Sequence, residues 1–299
     1  MKGIILAGGT GSRLYPVTFA TCKQLLPIYD KPMIYYPLAV LMQAQIREIL
    51  IIARPRDIPR FQDLLSDGAH LGLSITYAAQ AQANGIAESF IIAEQFINNE
   101  PVALVLGDNI FYSHDFPEIL APCKHHEEGA VVFGYEVHDP QRYGVVAMDD
   151  DGRVTDIIEK PEHPPSSYAV TGLYFYDSQV ADIAKSIRPS ARGELEITDV
   201  NKVYLQQNQL RVVCLGRGFA WLDSGTHSAF QQASTYVQTI QERQGIQIAC
   251  IEEIAYEQGF IDINQLETFA ELHAPSAYGD YLMRMVNKEK QLDSVVKML

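Results

Sequence analysis

The chain has 299 residues, 47% of them hydrophobic and 20% charged, enough for one large core and unlike a disordered, coiled-coil or collagenous sequence. Its 37 acidic against 23 basic residues leave a net charge of −14, which opposes a nucleic-acid surface but permits a local basic pocket for a small phosphorylated ligand. No apolar run approaches the roughly 20 residues of a membrane helix, residues 1–9 break at paired glycines too early for a signal-peptide core, and Cys22, Cys123, Cys214 and Cys250 form no CxxC pair, so a reduced, cytoplasmic protein is expected.

Short β-rich runs alternate with helical stretches in the first half. Strands are predicted over residues 2–6, 48–53, 74–79 and 102–106, with helices over 33–44, 58–65 and 87–96 between them. That alternation predicts an α/β fold, a parallel sheet covered by helices on both faces. From Gly129 onward, runs at 130–137, 145–149, 154–159 and 169–176 are separated by Gly, Pro and Asp turns, which predicts antiparallel strands. Helices return at 179–187, 197–207 and 227–244, and a helical tail reaches residue 285. No repeat or long linker interrupts the chain, so the tail is expected to extend one domain.

Directly after the first predicted strand, Leu6-Ala7-Gly8-Gly9-Thr10-Gly11-Ser12-Arg13-Leu14 concentrates glycines where backbone N–H groups can approach an anion unobstructed by Cβ. Arg13 adds a forked cation suited to phosphate oxygens. The dinucleotide fingerprint fails because Leu14 stands where its last glycine belongs, and the Walker pattern fails for want of a Gly-Lys-Ser/Thr ending. A glycine-rich turn without a ligand is the other reading of this loop. Lys23, in Thr21-Cys22-Lys23-Gln24-Leu25-Leu26-Pro27, is a solvated loop lysine unless it folds back over the glycines.

Leu106-Gly107-Asp108-Asn109 ends the strongest buried strand. Ligands collect at the carboxyl ends of strands in open α/β sheets, and a carboxylate there suits a magnesium ion that also binds substrate phosphates. An Asp capping a loop or helix is the alternative. Asp223, in Trp221-Leu222-Asp223-Ser224-Gly225, offers a second carboxylate at the end of an apolar strand. Glu159-Lys160-Pro161 sets an acid beside a base; taken alone it reads as a surface pair, whereas Arg142-Tyr143-Gly144 and Val170-Thr171-Gly172 would wall it as a sugar requires.

In this order, the glycine loop with Arg13, Lys23, Gly107-Asp108-Asn109, Arg142-Tyr143-Gly144, Glu159-Lys160-Pro161, Val170-Thr171-Gly172 and Trp221-Leu222-Asp223 resemble the sugar-phosphate nucleotidylyltransferases. Residues 23–36, 168–177 and 193–201 look nearly word for word like the members that use thymidine nucleotides, and the resemblance runs from residue 2 to about 286. It implies a Rossmann-like three-layer α/β/α fold with a mixed, mainly parallel central sheet, an antiparallel sugar-binding region and a helical C-terminal extension. The implied division is 1–245 for the nucleotidyltransferase domain, its 1–128 half for nucleotide and its 129–245 half for sugar phosphate, with 246–299 packed on it.

The implied reaction joins dTTP to glucose 1-phosphate and releases pyrophosphate, with a UTP-dependent uridylyltransferase as the nearest alternative. Residue by residue, Gly8, Gly9, Thr10, Gly11 and Arg13 match the triphosphate loop, with Arg13 on the departing pyrophosphate. Lys23 matches the lysine near the α-phosphate and sugar phosphate, with Gln24 on the nucleotide beside it; Gln80 and Gly85 match the readers of the pyrimidine edge. Asn109, Tyr143, Gly144, Glu159 and Val170 match the sugar pocket, Lys160 the lysine on the sugar's phosphate, and Asp108 and Asp223 the Mg2+ ligands, Asp108 also bordering the nucleotide. The resemblance thus makes Arg13, Lys23 and Lys160 the catalytic candidates. It further implies a cytoplasmic homotetramer supplying dTDP-rhamnose biosynthesis, with no nucleic-acid or membrane partner. The chain departs from the common pattern at Cys22 for Ser, Ile86 for Leu, Glu88 for Gln and Ser113 for Gly, and at Glu257, where an Arg commonly edges an accessory nucleotide-sugar site.

Overall fold

In the first strand, alternate side chains face opposite layers of core, and the neighbouring strands repeat the pattern. The computed structural model describes residues 1–149 and 151–296. Along the chain, Lys2–Ala7 (β1) is followed by a small hairpin, Pro27–Ile28 (β2) and Lys31–Pro32 (β3), then Tyr35–Gln43 (α1), Glu48–Ala53 (β4), Ile58–Leu65 (α2) and Ser74–Ala79 (β5). Glu88–Ile92 (α3) and Glu94–Ile97 (α4) lead to Val102–Leu106 (β6), Asn109–Tyr112 (β7) and Phe116–Leu120 (α5). Ala130–Glu136 (β8), Gly144–Met148 (β9), Val154–Glu159 (β10) and Tyr168–Tyr176 (β11) come next, before Val180–Ser186 (α6) and Ile197–Gln206 (α7). Leu210–Cys214 (β12), Ala220–Asp223 (β13) and His227–Gln244 (α8) precede the tail helices Ile251–Glu257 (α9), Ile263–Leu272 (α10) and Ala277–Val296 (α11).

Among the described residues, nine strands make one mixed sheet. Its parallel half runs β5-β4-β1-β6, with Ile4 opposite Leu50 and Leu104. The antiparallel half begins where β11 pairs with β6, and extends through β8 on one branch and β9 and β10 on the other, while β12 returns parallel to β8. Ile5, Ala7, Ile49, Ile51, Ala103 and Val105 pack into one core layer; Ile4, Leu50, Ile52, Val102 and Leu104 pack into the other. Burial on both faces explains why these strands read as continuous apolar runs. Each buried Ile, Leu or Val among them contributes about 1.5–3 kcal/mol on removal from water.

The first layer is closed by α1, which is apolar all round because its residues 36–42 are all buried, and by the tail. Cys250, Ile251, Ile254, Leu266, Leu282 and Val286 belong to the same cluster as Ile5 and Val105, so the tail helices share the core of the sheet. Thr226 accepts from the Ala229 N–H at the start of α8, and Asp262 and Gln265 form a reciprocal capping box on α10. The predicted helix over 87–96 is two short pieces broken at Ala93, and the helical tail is three helices. No described helix is long and apolar enough to cross a membrane.

Candidate active site

Because β1, β5 and β6 run parallel, their carboxyl ends deliver three segments to one edge of the sheet: the glycine loop after Ala7, Gln80 after Ala79, and Asp108 after Leu106. Gly8 lies so close to Gln80 that a Cβ there would stand 2.2 Å from its Oε1, which explains glycine at this position. A short pairing of β7 with β13, Asn109 opposite Asp223, then carries the second carboxylate to the first.

The Asp108 carboxylate is held on two sides. Lys23 Nζ donates to Oδ2 at 2.6 Å and Asn109 Nδ2 to Oδ1 at 3.0 Å. Asn109 is itself oriented, since its Oδ1 accepts from Trp221 Nε1 at 2.6 Å and from the Gly172 N–H at 3.1 Å. Burial works to raise the Asp108 pKa, but the charge and hydrogen bond of Lys23, with Asn109 and Arg13, outweigh it and hold the carboxyl below its ordinary value. Asp223 is shifted the other way, raised by burial and by the Asp108 charge against the opposing Lys23, Arg13 and Arg142, whose guanidinium lies 3.7 Å away. Two adjacent carboxylates in one partly buried site are an arrangement that a divalent cation relieves.

The opposite wall is built where β10 ends beside the start of β9, Glu159 opposite Gly144. Glu159 accepts from Thr198 Oγ1 at 2.6 Å and from Arg192 Nη2 at 3.2 Å, and Lys160 Nζ lies 3.3 Å from it. The Tyr143 ring packs on Trp221 with centroids 5.1 Å apart. Tyr143, Gly144, Val170, Asn109 and Asp223 line a cleft of about 410 Å³. Gly8, Gly9, Gln24, Gln80 and Gly85 line an adjoining one of about 360 Å³. The two lobes share Arg13, Asp108, Glu159 and Lys160, so the cations and the first carboxylate stand at their junction.

Three sequence candidates stand apart from these walls. Thr10 is exposed and, with Gly11, lies on the outer turn of the loop. Lys23 is neither a solvated loop lysine nor a wall residue; its side chain is buried beneath Asp108. Sequence reasoning did not single out Arg192 and Thr198, which tie the loop before α7 and the first turn of α7 to Glu159. Glu257 lies elsewhere, in a cavity of about 210 Å³ with Ser113, Pro117 and Glu253.

The model of the family described as "Nucleotidyl transferase" matches residues 2–240. The chain belongs to this family. Among curated nucleotidyl transferases, it is 53% identical over 288 residues to the glucose-1-phosphate thymidylyltransferase of Neisseria meningitidis serogroup A, covering 96% of this chain and 100% of that one. A Bacillus anthracis crystal structure in complex with a sucrose is 44% identical with a TM-score of 0.73, covering 79% of this chain and 94% of that one. A UDP-glucose pyrophosphorylase crystallised with UDP-glucose is 26% identical, TM-score 0.68, covering 80% and 98%. These solved structures share the mixed sheet with flanking helices. Nucleotidyl transferases of this kind typically need a divalent metal. Among the described residues no group of three or more His, Cys, Asp or Glu side chains comes together for one. The paired oxygen donors Asp108 and Asp223 nevertheless fit a hard cation that takes one or two carboxylates and completes its shell with substrate phosphates and water.

Proposed function

We infer that the chain transfers a deoxythymidylyl group from dTTP to glucose 1-phosphate, giving dTDP-glucose and pyrophosphate. The observation that carries this is the meeting of two lobes at Arg13, Asp108, Glu159 and Lys160, a junction of two cations and two carboxylates between a glycine-walled and a hydroxyl-lined pocket. The name of the Neisseria relative supports the choice of substrates. UTP in place of dTTP is the second reading, supported by the more distant UDP-glucose pyrophosphorylase.

Two polyanions must approach, so the task is neutralisation and alignment. In this proposal Arg13 and the N–H groups of Gly8 and Gly9, which line the nucleotide lobe, hold the β- and γ-phosphates that depart as pyrophosphate. Gln80 and Gly85 face the pyrimidine edge, with Gln24 beside the nucleotide. Asn109, Tyr143, Gly144, Glu159 and Val170 hold the sugar, and Lys160 draws its phosphate towards the α-phosphorus. Lys23 keeps Asp108 ionised and placed, and contributes its own charge close to the reacting phosphates. Magnesium held by Asp108 and Asp223 would supply further positive charge to the phosphate oxygens as charge develops. The attacking oxygen is already ionised at neutral pH, so no general base is needed. Nor is a protein nucleophile: burial pushes the Cys22 thiol, the cysteine next to Lys23, up to about 11. Catalysis is positioning plus electrostatics.

Residues 1–245 are taken as the catalytic domain and 246–299 as its helical extension, and kinship extends the proposal to a cytoplasmic homotetramer supplying deoxysugar synthesis. Pyrophosphate release with magnesium, glucose 1-phosphate and each of dTTP, UTP, ATP and GTP tests the reaction. Both pyrimidine nucleotides are expected to far exceed the purines, with dTTP ahead of UTP by roughly 10-fold, the value of one methyl contact. Strong purine use, or release independent of glucose 1-phosphate, contradicts the proposal.

A further inference from the structure

The side chain of Gln80 is almost wholly buried, and its orientation is dictated by what surrounds it. Its Nε2 donates to Glu88 Oε2 at 2.8 Å and to the Gly85 carbonyl oxygen at 3.3 Å. The other Glu88 oxygen accepts from Asn84 Nδ2 at 2.8 Å. With its nitrogen engaged on that side, Gln80 turns Oε1 towards Gly8 and the nucleotide lobe.

An amide's oxygen and nitrogen are nearly the same size, and only the hydrogen-bond roles of the partners choose between its two orientations. Both partners here are acceptors. A carboxylate has no hydrogen to give, and neither has a carbonyl, so turning Gln80 over would set its oxygen against two others and break both bonds. The turn that keeps Glu88 in reach is itself braced: the Leu195 N–H donates to the Asn84 carbonyl at 2.6 Å, and the Ala87 N–H to the Leu195 carbonyl at 3.1 Å. Gly85, at φ 109°, packs so tightly on this strut that a Cβ there would lie 2.3 Å from the Leu195 carbonyl oxygen.

We propose that Glu88 is a positioning residue for base selection: it locks Gln80 with its carbonyl oxygen facing the nucleotide, so that the site takes a base bearing an N3–H and turns away cytosine. The inference rests on the proposed placement of the pyrimidine edge against Gln80. Thymine and uracil offer a hydrogen at N3, which the fixed oxygen accepts. Cytosine presents a lone pair there, and the two acceptors face each other with no hydrogen between them in a largely buried site. A free glutamine would answer cytosine by turning over. Glu88 denies it that response.

The test is the ratio of kcat/KM for dTTP to that for dCTP, with glucose 1-phosphate saturating, in the wild type, Glu88→Met, Glu88→Gln and Gln80→Met. Glu88→Met is expected to lower the ratio at least 10-fold, mainly through a raised KM for dTTP and a gain with dCTP. Glu88→Gln keeps only one of the two acceptor oxygens that Gln80 and Asn84 use and can present its own nitrogen to a turned-over Gln80, so it is expected to lower the ratio by less than the Met variant. Glu88→Ala replaces the Met variant should melting curves show that it does not fold. A folded Met or Ala variant with the wild-type ratio overturns the role of Glu88, as does a Gln variant that loses more than the Met variant. If Gln80→Met changes the ratio while Glu88→Met does not, only the locking role fails; if Gln80→Met leaves it unchanged, the placement of the base at Gln80 fails as well.

Discussion

Replacing Asp108 with Asn is expected to cut turnover by about 100-fold in a chain that still folds. The substitution keeps size but removes the charge that would hold a divalent cation and turns one of the two acceptor oxygens used by Lys23 and Asn109 into a donor, and one electrostatic element at a reacting phosphate is worth on the order of 3 kcal/mol. It also leaves the buried Lys23 ammonium without the carboxylate 2.6 Å away, so the melting temperature is expected to fall too. Asp223→Asn separates the two effects. Its nearest cation, Arg142, is 3.7 Å away and already bonded to Asp139 at 2.7 Å, so turnover is expected to fall by a similar factor with little loss of stability. The check is turnover at saturating magnesium together with thermal melting; near-normal turnover by a folded Asp108→Asn variant removes that residue from the metal role.

The second large effect divides the substrates. Lys160→Ala is expected to weaken use of glucose 1-phosphate by about 10- to 100-fold, while Arg13→Ala damages the triphosphate side and the reverse reaction with pyrophosphate by a comparable factor. Both residues border both lobes, yet Lys160 extends β10 beside Glu159, whereas Arg13 follows the glycine loop, so they approach the reacting phosphates from different segments. Steady-state KM values for each substrate, with pyrophosphorolysis rates, make the comparison. If both variants changed nucleotide affinity alone, Lys160 would not serve the sugar phosphate.

The parallel half of the sheet was legible because β4 and β6 are buried on both faces and all three runs are bounded by turns, β5 being the half-exposed edge: the predicted runs at 48–53, 74–79 and 102–106 coincide with β4, β5 and β6. Elements stabilised by distant partners were not. Leu210–Cys214 is a half-exposed strand whose apolar signal is interrupted by Arg211, and it takes its form from pairing with β8. Asn109–Tyr112 follows β6 after only Gly107 and Asp108, which read as the end of the strand, and its partner β13 arrives more than a hundred residues later. The break at Ala93 falls in a stretch whose composition is helical throughout.

The site divides along the same line. The glycine loop and Asp108 were visible as glycines and a carboxylate at the ends of predicted strands, and Asp223 as the end of another. The role of Gln80 came only with the family resemblance, since an isolated glutamine carries no chemical signal. Lys23 needed Asp108, 85 positions away, before its burial had a reason. Arg192 and Thr198 became meaningful only when the fold set the loop before α7 and the first turn of α7 against the end of β10.

Direct attack of the sugar phosphate on the nucleotide's α-phosphorus is tested most directly by its stereochemistry. With dTTP carrying sulfur at the α-phosphorus in one configuration, a single in-line displacement by glucose 1-phosphate gives thio-dTDP-glucose of inverted configuration. Inversion is the predicted result; retention, which requires two displacements through a protein-bound nucleotidyl group, contradicts it.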